Sequence, residues 1–190
     1  MFDSLEKKLN EHTAAVTEIL NSEKLKSDIY SAAQAVADAI KKDNKILLFG
    51  NGGSAADCQH IAAEFVGRFR KERRGYPAIA LTVDTSVITS ISNDYSFENV
   101  FARQIEALGS ENDVAIGIST SGSSKNVLAG LKEAKEKGLF TILLCGERYD
   151  ADSAELIVSV PSDKAETIQE CHIIIGHFIA GFAENTLNNY

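Results

Sequence analysis

Four side chains that transfer protons or bind metals occur at helical spacing in two stretches of the sequence. His60 and Glu64 lie four residues apart in FGNGGSAADCQHIAAEF, and Gln169 and His177 lie eight apart in ETIQECHIIIGHF. Residues four apart share one face of a helix, so His60 and Glu64 can face the same crevice. Imidazoles and carboxylates act as general acids and bases, and the same groups bind zinc. Spacing alone leaves three interpretations open: a proton-transfer pair, a metal site or a surface contact.

Two loops rich in glycine or serine have the composition of a phosphate site. GNGGS at 50–54 lets the backbone approach a ligand closely, and Ser54 with Asp57 predicts a cap for the helix that follows. ISTSGSSKN at 118–126 supplies hydroxyl groups where another helix begins, and free N–H groups at that end bind anions. Neither loop has the order of the nucleotide motifs GxGxxG or GxxxxGK[ST]. The two loops are as consistent with plain helix caps as with a monophosphate site.

Short apolar runs alternate with helical segments, which predicts an α/β fold with a parallel sheet. The runs are KILLF (45–49), AIAL (78–81), DVAIGI (113–118), FTILL (140–144) and ELIVSV (155–160). Helical patterns cover 3–21, 24–42, 54–66, 86–108 with a break near Asn93, 123–137 and 165–188. Such an alternation places helices on both faces of the sheet, and ligands bind at the carboxyl ends of its strands. Both loops therefore lie at the predicted binding edge.

Composition and charge restrict the class of protein. The chain has 190 residues, of which 44% are hydrophobic, and a net charge of -8, which argues against general nucleic-acid or membrane binding. No run of eighteen apolar residues and no signal-peptide pattern occurs, so we expect a cytoplasmic protein. The three cysteines form no CxxC pair and are expected to be small buried residues. The basic run at 68–74 is predicted to be a solvated loop, with Arg68 as a candidate for an anion or subunit contact.

Four longer segments together resemble one known family. They are GNGGSAADCQHIAAEF, SNDYSFENVFARQIEALG, GISTSGSSKNV and VPSDKAETIQECHIIIGH, and in order they resemble the phosphoheptose isomerase family of SIS (sugar isomerase) domains. The resemblance implies one SIS domain over 1–190, a three-layer αβα fold of flavodoxin-like type with a five-stranded parallel sheet. It implies that helices at 1–43 take part in oligomerisation. The implied activity is conversion of sedoheptulose 7-phosphate to D-glycero-D-manno-heptose 7-phosphate, for lipopolysaccharide or capsule, in a homotetramer with one zinc ion per subunit.

Carried over by position, the resemblance also assigns roles to individual residues. It makes Glu64 the base and His177 the acid of the isomerisation. The implied zinc ligands are His60, Glu64, Gln169 and His177. The residues implied to bind the phosphosugar are Asn51, Gly52, Gly53, Glu64, Asn93, Asp94, Ser119, Thr120, Ser121, Ser124 and Gln169. A carboxylate held tightly by zinc is a weaker base, so a catalytic and a structural role of the ion both stay open.

Helix length predicts an active site built from more than one chain. Gln169 and His177 are about 12 Å apart along a helix at 1.5 Å per residue, which is far for two side chains that meet at one ion. We therefore expect His177 to reach the Glu64 of a partner subunit.

Two other functions remain alternatives. Some SIS relatives bind the replication initiator DnaA without catalysis, but they lack the catalytic carboxylate and histidine that this chain has as Glu64 and His177. An isomerase of a pentose or hexose phosphate would use the same loops and the same proton chemistry. The link GERYDADSAE at 146–155 is shorter than in many relatives and lacks their glycine-rich stretch, which leaves the exact sugar open.

Overall fold

A computed structural model describes residues 2–187, which form seven α-helices and five β-strands. The elements in chain order are α1 (Phe2–Asn21), α2 (Glu23–Lys41), β1 (Ile46–Gly50), α3 (Gly53–Val66), β2 (Ala78–Ala80), α4 (Thr85–Asp94), α5 (Val100–Leu108), β3 (Val114–Ser119), α6 (Lys125–Glu136), β4 (Phe140–Cys145), β5 (Leu156–Ser159) and α7 (Ala165–Leu187). A 3-10 turn at Phe97–Asn99 separates α4 from α5. The predicted strands and helices are confirmed to within two residues. Residue 188, the predicted end of the last helix, lies outside the described residues.

All five strands are parallel and follow the order β2-β1-β3-β4-β5. This is the doubly wound order of flavodoxin-like folds, so the predicted fold class is confirmed. Every residue of β1 and β3 is buried. Their sequences are continuously apolar because both faces of these strands are covered by helices.

Alternate residues of the central strands pack against different helices. Ile46 and Leu48 of β1 belong to a core shared with α1, α2, α3 and α7, whereas Leu47 and Phe49 belong to a core shared with α5 and α6. Successive side chains of a strand point to opposite faces, so one sheet separates two helical layers. The predicted three-layer arrangement is thus present in the described part of the chain.

Helices α3 and α7 lie side by side and run in the same direction. A Cβ atom added at Gly53 would come within 2.5 Å of Gln169 Nε2, and one added at Gly176 would come within 2.5 Å of Ile61 Cδ1. The glycines therefore allow close helix packing at two levels, the first at the start of α3 and the second two turns further on. This register decides which residues of α7 meet which residues of α3.

The three cysteines, Cys58, Cys145 and Cys171, are free and buried, as the sequence predicts. Burial raises the pKa of the Cys145 thiol to about 12, so this group is a neutral packing residue. Within residues 2–187 no helix has the length and apolar character needed to cross a membrane.

Candidate active site

His60, Glu64 and His177 come together where α3 packs against α7. The Nε2 atoms of the two histidines are 2.8 Å apart, and His60 Nε2 lies 3.5 Å from Glu64 Oε1. One ligand atom from each of the three side chains lies within 4.8 Å of the others. The His60 side chain is half exposed and that of Glu64 is 21% exposed, so the cluster is open to a ligand. Two imidazoles and one carboxylate at this spacing can exchange protons with a substrate or bind a metal.

The donor set of this cluster fits zinc. Two imidazole nitrogens and one carboxylate oxygen are the ligands of many catalytic zinc sites, in which three protein groups leave one position open. Gln169, the fourth predicted ligand, lies elsewhere. Its amide is against Gly53, and Gly53 precedes Glu64 by about 16 Å along α3 at 1.5 Å per residue. One chain therefore brings together three of the four predicted ligands.

The expected pairing of His177 with the Glu64 of a partner subunit is corrected by these positions. His177 lies beside Glu64 of its own chain. The expectation was based on the distance between Gln169 and His177. That distance separates Gln169 from His177, but it does not separate His177 from Glu64. The parallel packing of α3 and α7 gives Gln169 and His177 different partners on the same neighbouring helix.

The serine loop forms a cluster of hydroxyl groups at the start of α6. Ser119 Oγ donates to Ser124 Oγ at 2.9 Å, and Ser123 Oγ donates to Ser121 Oγ at 3.1 Å. Ser124 is the N-cap residue of α6, but its side chain makes no capping hydrogen bond. Gly122, with φ +65°, turns the loop through the left-handed region. The hydroxyls thus cluster at the uncapped start of a helix, which is the kind of place where anions bind.

The glycine turn has a similar uncapped helix behind it. Gly52, with φ 56°, is the N-cap residue of α3 and has no side chain to bond the first N–H groups. The prediction that Ser54 and Asp57 cap this helix is wrong, because the left-handed turn at Gly52 starts the helix earlier. One oxygen of Asp57 is buried without a hydrogen-bond partner among the described residues, and burial raises its pKa, an effect that the charge of His60 partly offsets.

A reciprocal amide pair joins the two loops. Asn51 Nδ2 donates to Asn126 Oδ1 at 2.8 Å, and Asn126 Nδ2 donates back to Asn51 Oδ1 at 2.9 Å. Asn126 is only 4% exposed. It was not among the predicted site residues, although its place directly after the serine loop is visible in the sequence. The pair fixes the glycine turn relative to the start of α6.

Asn93 and Asp94 lie at the end of α4, and both are exposed. Asn93 Nδ2 donates to Asp94 Oδ1 at 2.8 Å, and within residues 2–187 no side-chain hydrogen bond joins them to another predicted site residue. Helix α4 has no buried residue.

Thr120 and Ser121 of the serine loop line a cleft of about 940 Å³. Another part of its lining comes from the link after β4 and includes Arg148 and Tyr149.

The basic run differs from the predicted solvated loop at one residue. Arg68 is exposed and lies 3.9 Å from Glu72, as a solvated charge would. The Arg73 side chain, in contrast, is 2% exposed and forms an ion pair of 3.2 Å with Glu184, whose side chain is 1% exposed. Sequence reasoning missed this pair because its members are far apart in the chain.

The sequence profile of the SIS domain matches residues 10–146. Fold, loops and profile together define a SIS domain.

Individual relatives are similar along nearly the whole chain. The phosphoheptose isomerase of a Nitratiruptor species is 50% identical over 188 residues, covering 98% of this chain and 100% of that protein. The phosphoheptose isomerase of Aquifex aeolicus is 55% identical over 158 residues, covering 82% of this chain and 83% of that protein. A solved phosphoheptose isomerase structure from Francisella tularensis superimposes with a TM-score of 0.90 at 34% identity, covering 97% of this chain and 98% of that one. The chain belongs to the phosphoheptose isomerase family, and it is a sugar-phosphate isomerase.

Proposed function

We propose that this enzyme converts sedoheptulose 7-phosphate to D-glycero-D-manno-heptose 7-phosphate, for the heptose of lipopolysaccharide or capsule. The relatives named phosphoheptose isomerase support a seven-carbon sugar phosphate as substrate. The observation that carries the proposal is the convergence of Glu64 and His177 in one open cluster. An aldose–ketose isomerase needs a base and an acid at the same two carbons, and this cluster supplies both.

In the proposed reaction, Glu64 removes a proton from C1 of the ketose. The electrons of the C1–H bond form the C1–C2 double bond of an enediol, and His177 donates a proton to the oxygen at C2. Glu64 then returns a proton to C2, while His177 takes the proton from the oxygen at C1, which leaves the aldehyde. Each of the two roles is typically worth about 10²–10⁴ in rate.

Zinc is the proposed cofactor, one ion per subunit. His60, Glu64 and His177 are positioned to hold it. Gln169, the fourth ligand implied by the family resemblance, lies against Gly53 in the same chain and would have to come from a neighbouring subunit. When bound, zinc would polarise the substrate carbonyl and stabilise negative charge on its oxygen. Because Glu64 is both a proposed ligand and the proposed base, one of its oxygens must stay available to the substrate.

The proposed phosphosugar site is formed by the two loops and the exposed end of α4. Ser119, Thr120, Ser121 and Ser124 bind the phosphate through their hydroxyls and the uncapped start of α6. The rest of the sugar is held by Asn51, Gly52, Gly53, Asn93, Asp94 and Gln169. Hydrogen bonds to a charged phosphate are stronger than those between neutral groups, so the serine loop supplies most of the affinity.

We further propose that the active site combines two chains of a homo-oligomer, by family resemblance a tetramer. Within one chain, Glu64 is about 16 Å along α3 from the glycine turn, too far for one small sugar phosphate. The loops of one subunit would therefore face the His60, Glu64 and His177 cluster of another. Helix α4, which carries Asn93 and Asp94 and has no buried residue, is available for such a contact.

The N-terminal helices are the proposed second part of the subunit interface. An apolar groove of about 280 Å³ lies between α1, α2 and α7, and it is bordered by Leu20, Tyr30 and Ile174. These three side chains are 63%, 56% and 49% exposed. Large apolar groups that cluster at a surface are typical of contacts between proteins, which supports the role of residues 1–43 in oligomerisation.

Two measurements test the catalytic assignment. Glu64→Gln keeps the shape of the side chain and removes its basicity, so turnover should collapse while inorganic phosphate still binds. In D2O, transfer by a carboxylate should leave deuterium at C1 or C2 of recovered sugar. Near-normal turnover of Glu64→Gln, or complete absence of deuterium in both positions, would contradict the proton-transfer mechanism.

Subunit mixing tests the composite site. Ser121→Asp places a negative charge in the phosphate loop and should abolish activity, as should Glu64→Gln in the cluster. Mixed oligomers of these two variants should regain activity, because some sites combine an intact loop with an intact cluster. Mixed oligomers of Glu64→Gln and His177→Gln should regain none, because both changes damage the same cluster. If the first mixture stays inactive after mass spectrometry has shown subunit exchange, each site lies within one chain.

A further inference from the structure

A buried carboxylate on α7 holds the loop that follows α3. Glu184 accepts hydrogen bonds from three consecutive backbone N–H groups, those of Phe69 at 3.2 Å, Arg70 at 2.9 Å and Lys71 at 3.0 Å. Its side chain is 1% exposed. Three donors in a row, directed at one buried carboxylate, fix the conformation of this loop on the surface of α7.

The same carboxylate holds a buried arginine. Arg73 donates through Nε to Glu184 Oε1 at 3.2 Å, and its two terminal nitrogens donate to Glu64 O at 2.6 Å and Phe65 O at 2.9 Å. These carbonyl groups belong to the last turn of α3, where the helix leaves them unpaired. The ion pair therefore joins the end of the helix that carries Glu64 to the loop and to α7.

The fixed loop places one aromatic ring against a predicted catalytic residue. The ring of Phe69 is stacked on the imidazole of His177, with centroids 5.5 Å apart and an angle of 22° between the planes. Gly181, one turn further along α7, makes room for the ring, since a Cβ atom there would lie 3.2 Å from Phe69 Cε1. Phe69 thus covers one face of His177, while the Nε2 atom of His177 is directed at His60.

We propose that Phe69 is a positioning residue that sets the ring plane of His177, and that Glu184 and Arg73 hold Phe69 in place. The rotation of an imidazole about its second side-chain torsion is broad when nothing restricts it. Stacking on Phe69 restricts this rotation and keeps Nε2 directed at the substrate side of the cluster. The catalytic part of this inference rests on the proposed function, but the positioning of the ring does not.

Direct observation of the imidazole separates positioning from activity. Protein labelled with ¹³C in its histidines is compared by NMR as the wild type, Phe69→Leu and Phe69→Tyr, with His177→Gln used to identify the His177 signal. Loss of a stacked ring shifts the His177 resonance through the ring current alone, so the quantity compared is the mobility of the His177 ring in ¹³C relaxation. Phe69→Leu removes the ring and should increase this mobility, whereas Phe69→Tyr keeps the ring and should leave it near the wild-type value. Gly181→Ala adds a methyl group 3.2 Å from Phe69 Cε1, should displace the stacked ring and should also increase the mobility.

Phe182→Leu is the matched control. Phe182 is a partly buried aromatic residue of the same helix, and its ring packs on Tyr30 rather than on His177. This variant should leave the mobility of the His177 ring unchanged, although it also replaces a phenylalanine by leucine. His177 ring mobility that increases no more in Phe69→Leu than in Phe182→Leu would overturn the proposal.

Kinetics provide the second readout. Misplaced catalytic groups reduce turnover strongly even when the displacement is small, so Phe69→Leu should lower kcat about tenfold and leave KM within about twofold. Phe69→Tyr should retain the wild-type kcat. Wild-type turnover in Phe69→Leu would show that the ring has no positioning role. The expected change in His177 ring mobility in a protein that isomerises no sugar phosphate would instead support positioning and refute the proposed function.

Discussion

Replacement of Glu184 by glutamine should destabilise the protein strongly. The change removes the charge that faces buried Arg73 and replaces one oxygen by an NH2 group, which cannot accept the backbone N–H bonds on its side. Removal of one partner from a buried ion pair costs about 3–5 kcal/mol, because the remaining charge stays buried. In a chain of this size, 1 kcal/mol corresponds to about 2–4 °C in the melting temperature. We therefore expect a decrease of roughly 6–20 °C.

Thermal unfolding followed by circular dichroism measures this decrease, and Glu106→Gln is the matched control. Glu106 also pairs with an arginine, Arg103, but the two side chains are 54% and 45% exposed. Exposed pairs contribute at most about 1 kcal/mol, so this variant should melt within a few degrees of the wild type. Equal melting temperatures for Glu184→Gln and Glu106→Gln would refute the assignment of a structural role to the buried pair.

The loss of melting temperature in Glu184→Gln should depend on pH, because folding changes the pKa of Glu184. Burial by itself raises this pKa, but hydrogen bonds from the backbone of Arg70, Lys71 and Phe69 and the charge of Arg73 outweigh it, so the pKa is lowered. A carboxyl whose pKa is lowered by folding contributes stability above its ordinary pKa and loses it as the pH falls through the folded value. The difference in melting temperature between the wild type and Glu184→Gln should therefore be largest near pH 7 and become smaller as the pH falls. A difference that grows as the pH falls would contradict this.

Three further predictions concern the loops and the core. Ser121→Ala should weaken phosphate binding by about 1–3 kcal/mol, or about 5- to 150-fold, in a competition assay, and unchanged affinity would argue against the serine loop as the phosphate site. Asn126→Leu breaks both amide hydrogen bonds to Asn51 and should raise KM more than it lowers kcat, whereas an unchanged KM would show that the pair does not position the glycine turn. Burial lowers the pKa of His172 to about 4, so the stability it provides is full above about pH 6.5 and is lost as the pH falls toward 4. The melting temperature of the wild type should thus fall more steeply between pH 7 and pH 5 than that of His172→Gln, and parallel curves would contradict this.

The sequence was sufficient to predict the sheet because its signals are local. After their first residues, the runs KILLF and FTILL are buried on both faces, and a continuous apolar run reflects that burial directly. The pairing of His60 with Glu64 is equally local, since both lie on one helix. Elements and contacts of this kind depend on residues close together in the chain.

The contacts that the sequence did not reveal depend on how distant elements pack. Arg73 lies in a charged run and Glu184 lies in an apolar helix. Neither stretch of sequence by itself indicates a buried ion pair. The meeting of His177 with Glu64 depends on the register of α3 against α7, which Gly53 and Gly176 set by allowing close approach. Glycine at those positions is visible in the sequence, but the helix that approaches it is not.

We propose that this family member isomerises a seven-carbon sugar phosphate, with Glu64 as the base and the serine loop as the phosphate site. The most direct measurement is a coupled assay of the purified protein with ketose phosphates of five, six and seven carbons. Sedoheptulose 7-phosphate should give the highest kcat/KM, and Glu64→Gln should lose this activity in the same assay. A higher kcat/KM with a five- or six-carbon ketose phosphate, or no turnover of sedoheptulose 7-phosphate by the wild type, would contradict the account.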